Sequence, residues 1–196
     1  MNIFLKLKHW HLFLLLAGIP IIFQVIDMAS LILLHSLSVM FSGFAVMMIF
    51  ILVVYLGWFY AMGAALHTKL PDTVKMNLTK FKVFMFIPAA YMLSLSVFMF
   101  GAFKHHLPGS GPNPAIFLFI IPVHLLSMFG LFYSLYFISK SLKAVELQRH
   151  VTINDYVGEF FLLWFFPIGV WLIQPRINKL FDETTGSHTI TQATLL

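Results

Sequence analysis

The chain has 196 residues, is 60% hydrophobic and only 10% charged, and holds no cysteine. Soluble domains carry about 25% charged residues, so this composition excludes a disordered chain, a disulfide scaffold and thiol-ligated metal or iron–sulfur sites, and points to an integral membrane protein. Twelve Lys and Arg against seven acids give a formal +5. Those basic residues flank apolar runs, which speaks for orientation in a bilayer and against nucleic acid as a partner.

The first span is expected over 9–26. Lys6 and Lys8 precede it, Trp10 marks one interface, and Gln24 and Asp27 mark its far end. The segment resembles a signal peptide at first sight. It lacks an A-x-A-like cleavage pattern, because Asp27 stands at the −3 position of Ala29, so it reads as an uncleaved span.

The next apolar run, Met28–Leu66, is 39 residues long. As one helix it would reach roughly 58 Å, against about 30 Å of hydrocarbon. The expected solution is a short outer segment near 28–39 holding His35, followed by a second span over 40–65. Gly57, Ala61 and Ala65 form a small-residue stripe on that span, and Trp58 sits near its inner interface.

A polar loop with Pro71 and several lysines leads to a third span over 81–103, which Pro88 can kink. A loop rich in Pro and Gly holds His105 and His106. Asn113 and Pro114 then cap a fourth span over 114–139.

Thr152 and Asp155 spell a capping box, with Val151 and Tyr156 as a staple. The apolar segment 153–173 that follows is interrupted by Pro167 and Gly169. With the N-terminus inside, the inner side carries nine Lys and Arg before this segment and the outer side only Lys104. A crossing segment would put Arg176 and Lys179 outside, whereas re-entry would keep them inside. The charge rule favours re-entry; the cap and the 21-residue length favour a kinked fifth span, which is the expectation adopted.

The fold class is therefore all-α, a polytopic transmembrane helical bundle of four spans plus a kinked or re-entrant fifth. Residues 1–180 form one bundle and 181–196 a polar mobile tail.

Few residues point to chemistry. His124 lies about ten positions into the fourth span, near mid-depth, where an ionisable group suggests function. It finds no second histidine at similar depth to make a haem site, and no Asp or Glu within the first four spans to make a proton relay. The plain alternative is a neutral imidazole bonded across the bundle to Ser94 or Ser96. Asp27, His35, His105 and His106 could gather at the outer face as ligands for zinc or copper, although their spacing matches no dedicated motif. Asp155 and Glu159 share a face of the last helix. The helix dipole and pairing with Lys140, Lys143 or Arg149 account for them without acid–base catalysis. Met85, Met92 and Met99 repeat every seven residues and read as a packing seam. Trp10, Trp58, Trp164, Trp171 and Arg176 are read as interface anchors.

Two stretches carry a resemblance: Lys6-Leu7-Lys8-His9-Trp10-His11-Leu12-Phe13-Leu14-Leu15 with Gly18-Ile19-Pro20, and the run from Trp164 to Asn178, WFFPIGVWLIQPRIN. Together they resemble small multipass membrane proteins of unknown function from Bacteroidetes-type bacteria. The resemblance implies a bacterial cytoplasmic (inner) membrane location and carries over no catalytic residue.

The reading adopted is a non-enzymatic structural or accessory subunit of a membrane complex. Its partners would be the lipid bilayer and other membrane subunits, with no cofactor. The alternatives are a small transporter or channel component with a pathway near His124 and the Pro167–Gly169 break, and a metal-dependent membrane enzyme using the outer histidines.

Overall fold

A computed structural model describes residues 3–35, 37–104 and 115–193. Among the described residues every regular element is a helix, as the composition led one to expect. The order is α1 (Ile3–Lys6), α2 (His9–Phe13), α3 (Ile19–Leu34), α4 (Leu37–His67), α5 (Leu78–Lys104), α6 (Ala115–Leu147), α7 (Ile153–Trp164) and α8 (Phe166–Ala193). Four segments are long and apolar enough to cross a membrane: His9–Leu33, Ser42–His67, Leu78–Phe98 and Leu118–Leu147.

The first of these corrects two expectations. Helix α3 does not stop at Gln24 and Asp27 but runs on to Leu34, so both polar residues lie within the segment His9–Leu33 that is long and apolar enough to cross a membrane. Asp27 is buried there against Gly43 of α4, where no side chain competes for the space. The first four spans are thus not free of acids. His35, in the left-handed region at φ 49°, closes α3 by donating its N–H to Leu31 O. Earlier in the same span a π-helical turn, Leu14–Gly18, comes just before Pro20, whose ring supplies no N–H to the helix ladder.

The best-buried part of the bundle lies where α4 ends and α5 begins. Trp58, Phe59, Met62, Phe81, Phe137 and Ile173 are fully buried there. α3 and the first half of α6 keep most apolar side chains exposed, as lipid-facing helices can. Helices α5 and α6 approach closely at Pro88. This proline leaves Phe84 O without its helical donor, and Gly130 of α6 sits so near that a Cβ there would stand 2.4 Å from that oxygen. Gly57 of the small-residue stripe receives a ring of its own chain's N-terminus, Phe4.

The last apolar segment does not continue as one helix. Phe165, at φ −87° and ψ 62°, separates α7 from α8, and α8 packs back along α7. Arg176 on α8 pairs with Glu159 on α7 at 2.9 Å. In a continuous helix their 17-residue separation would be about 25 Å. The expected kinked helix is therefore replaced by a helical hairpin. Gly169 makes the reversal possible, since a Cβ there would lie 1.8 Å from Leu162 O. Pro167 leaves Leu163 O without a helical donor, and Tyr55 OH approaches that carbonyl at 3.4 Å. Helix α8 also carries the backbone on through 181–193, the stretch read above as a tail.

Candidate functional sites in the bundle

Three polar constellations stand out, and the helices bring each together from distant sequence. The first lies where α6, α7 and α8 meet. Arg176 Nε donates to Glu146 Oε1 at 2.7 Å and its Nη2 donates to Glu159. Lys143 Nζ reaches Glu159 at 3.0 Å. Burial pushes the Glu159 carboxyl up, but hydrogen bonds from Lys143 and Arg176 outweigh it and hold the group below the usual carboxylate range. Burial likewise works against the Arg176 guanidinium, yet its bonds to Glu146 and Glu159 leave it raised. Two cations and two carboxylates thus neutralise one another.

Beside this network the capping box forms as its spacing implied. Asp155 Oδ2 accepts from Thr152 N at 2.7 Å, and Arg149 pairs with Asp155 at 3.0 Å. The backbone bond from Thr152, then its hydroxyl and Arg149, keep the Asp155 carboxyl low. Lys140 takes a different course and donates to Tyr136 OH at 3.0 Å. Arg176, expected as a headgroup anchor, is part of an ion-pair network. Neither its partner Glu146 nor its own membership was readable from spacing, because both depend on the hairpin.

The second constellation centres on Gln174, which is fully buried. Its Oε1 accepts from Trp58 Nε1 at 2.9 Å, and its Nε2 donates to Phe4 O at 2.9 Å and Leu7 O at 2.8 Å. Asn178, one turn on, also donates to Leu7 O. Trp58 is therefore a buried strut rather than an interface ring. His9 and Phe13 lie against Trp171, with ring centroids 4.7 and 5.6 Å apart. The two stretches that carry the family resemblance are in contact with each other. Trp10, Trp164 and Trp171 remain partly exposed, and Trp164 stacks on Phe132.

The third constellation surrounds His124. Its Nδ1 meets Tyr91 OH at 3.2 Å. Ser94 and Ser96, the expected partners, bond instead to carbonyls of their own helix, Ala90 O and Met92 O. Tyr91 lies one turn before Ser94 on α5 and was the residue that sequence reasoning missed. Its only signal was a hydroxyl-bearing ring at matching depth. His124 and Tyr91 line a largely apolar cavity of about 380 Å³ between α4, α5 and α6. An adjoining cavity of about 250 Å³ shares Tyr55, Met128 and Leu131 and ends at Trp164, beside the hairpin turn.

Among the described residues no three His, Asp or Glu side chains gather as metal ligands. His105 and His106 lie outside the described residues. Asp27 Oδ2 is buried without a hydrogen-bond partner, and His35 is exposed at the end of α3.

Comparison with known protein families, with curated proteins and with solved structures gives no match.

Proposed function

We propose that this integral membrane protein is a non-enzymatic accessory subunit of a membrane complex, acting through helix packing in a bacterial cytoplasmic membrane. Gln24 carries the reading. It is exposed on α3, nine residues before the end of the first span at Leu33 and so about 13 Å within it. A primary amide facing hydrocarbon costs several kcal/mol without a partner, of order 2–7 depending on the reference state. A neighbouring transmembrane helix that hydrogen-bonds it removes that cost, as polar side chains do when they join helices in membranes. Span His9–Leu33 has α4 as its main interhelical neighbour, which leaves a second side of α3 open for such a helix.

The hairpin supports an orientation with the N-terminus in the cytoplasm. Arg176 lies beside Lys143 and Glu146, so it joins the basic residues of the face that also holds the N-terminus. The positive-inside rule then puts that face in the cytoplasm. The bacterial setting rests on the two resemblance segments alone.

Native mass spectrometry after gentle extraction from the native membrane tests the reading. A stoichiometric second polypeptide that is lost in Gln24→Leu supports it. A lone chain, or a partner indifferent to Gln24→Leu, contradicts it.

A second reading, a transport pathway, is favoured by Tyr55. This residue lines the His124 cavity and also reaches Leu163 O at the hairpin break. Loss of transport in His124→Phe would favour it, and unchanged complex assembly in the same variant would separate it from the first.

A further inference from the structure

We propose that Asp27 is a proton-binding site within the membrane: where α3 packs on α4, its carboxyl is held as the neutral acid and is open to an apolar carboxyl reagent. The site does not depend on the partner helix at Gln24.

Position and surroundings argue for it. Asp27 is only 6% exposed and lies six residues, about 9 Å of helix, before the end of the segment at Leu33. Its carboxyl rests on the α4 backbone at Gly43, where a Cβ would collide with Oδ1. Oδ2 is buried and accepts no hydrogen bond among the described residues. A carboxylate withdrawn from water needs a counter-charge or several donors. Neither is supplied here. The elements that pack most on α3 are α4 and the π-helical turn Leu14–Gly18. That turn, the rest of α3 and residues 37–54 of α4 hold no Asp, Glu, Lys, Arg, His or Tyr. The nearest titratable side chain along the chain is His35, exposed at the end of α3, eight residues or about 12 Å of helix away.

The same burial limits what can neutralise the group. A basic side chain from a neighbouring helix would arrive from the lipid side, where Gln24 is exposed and Asp27 is not. A metal cation takes several oxygen ligands, and the packed segments bring no second carboxylate or imidazole. A proton needs one oxygen and no added space. Its loss would leave an unpaired charge at the contact that joins α3 to α4, so the packing of the first span senses the state of the site.

The test uses the full chain, in native membranes and again purified into phospholipid vesicles, treated at neutral pH with dicyclohexylcarbodiimide. This reagent dissolves in lipid and reacts with the protonated carboxyl. The acid proton passes to a carbodiimide nitrogen, the carboxyl oxygen bonds to the central carbon, and rearrangement leaves an N-acylurea that retains the whole reagent. Peptide mass spectrometry locates the adduct. Asp27 is expected to react in both preparations, at least about tenfold more than the exposed Asp72, and to react less as the pH is raised. Asp27→Asn should lose the adduct at this position and, because its amide is also neutral, keep the wild-type unfolding temperature at neutral pH. No adduct at Asp27, an adduct no greater than at Asp72, reaction indifferent to alkaline pH, or a marked loss of stability in Asp27→Asn would each overturn the proposal. Protection by sodium at constant pH would assign a metal cation instead, and an adduct in vesicles but not in native membranes would assign a partner's basic side chain. Either would overturn it as well.

Discussion

Arg176 and Glu159 form an ion pair at 2.9 Å although 17 positions separate them. That pair fixes the geometry of the C-terminal third. It requires the chain to reverse at Phe165, brings Gln174 under Trp58, and sets α8 against the N-terminal residues. The polar chemistry of this face joins helices that would gain little from apolar contact alone in a lipid solvent.

The reversal depends on Gly169. Adding one methyl in Gly169→Ala forces α8 away from Leu162 O, and the loss expected is about 1–3 kcal/mol, as for overpacking elsewhere. Gly158→Ala is the matched control, because a Cβ there meets nothing within 4 Å. It should be neutral or stabilising by up to about 1 kcal/mol through helix propensity. Thermal unfolding of both variants in the same detergent reads the contrast.

Removing Arg176 strands Glu146 and Glu159 with Lys143 as their remaining cation. Arg176→Leu should destabilise by about 3 kcal/mol, toward the lower end of what breaking one side of a partly buried pair costs. Arg176→Leu combined with Glu159→Leu should recover part of that loss, since the second change removes the stranded charge. A double-mutant cycle in denaturant checks the coupling.

The same network sets an acid limit. Glu159 is held below its ordinary value of 4.5 in the folded chain, and Asp155 below its ordinary 3.8. A carboxyl lowered on folding contributes stability that is fully present above its unfolded value and is lost as pH falls through its folded value. The unfolding temperature should therefore be flat with respect to these groups down to about pH 5 and decline below it. Glu159→Gln should lower the plateau and flatten the decline. A steeper decline in the variant would contradict the assignment.

Gln174→Leu removes the acceptor of Trp58 and the donor to Phe4 O and Leu7 O at once. Each buried group left unmatched costs about 1–3 kcal/mol. The N-terminal residues should loosen first, seen as faster amide exchange across α1 and α2 with the exchange of α5 unchanged.

Much of the architecture was legible in the sequence, because hydropathy and breakers act locally. The long apolar runs around α4, α5 and α6 and the Thr152–Asp155 box were all readable. Three things were not. The end of the first span was misread because Gln24 and Asp27 look terminal until Gly43 is seen to make room for one of them. The partner of His124 was misassigned because helix rotation, which decides between Tyr91 and Ser94, leaves little trace in so uniformly apolar a helix. The hairpin stayed ambiguous because charge count and helix length gave opposite answers, and the reversal shows itself only in contacts between residues far apart in sequence, Arg176 with Glu159 and Gly169 with Leu162.

The central claim is that the last apolar segment folds back and leaves both its ends on one side of the membrane. The chain has no cysteine, so single cysteines can be placed on an otherwise unreactive background. Asp182→Cys beyond the hairpin, Leu147→Cys before it and His35→Cys at the opposite face are labelled with a membrane-impermeant maleimide in sealed vesicles of known orientation. Asp182→Cys and Leu147→Cys are expected to react from the same side and His35→Cys from the other. Labelling of Asp182→Cys together with His35→Cys would mean that the segment crosses, and would contradict the account.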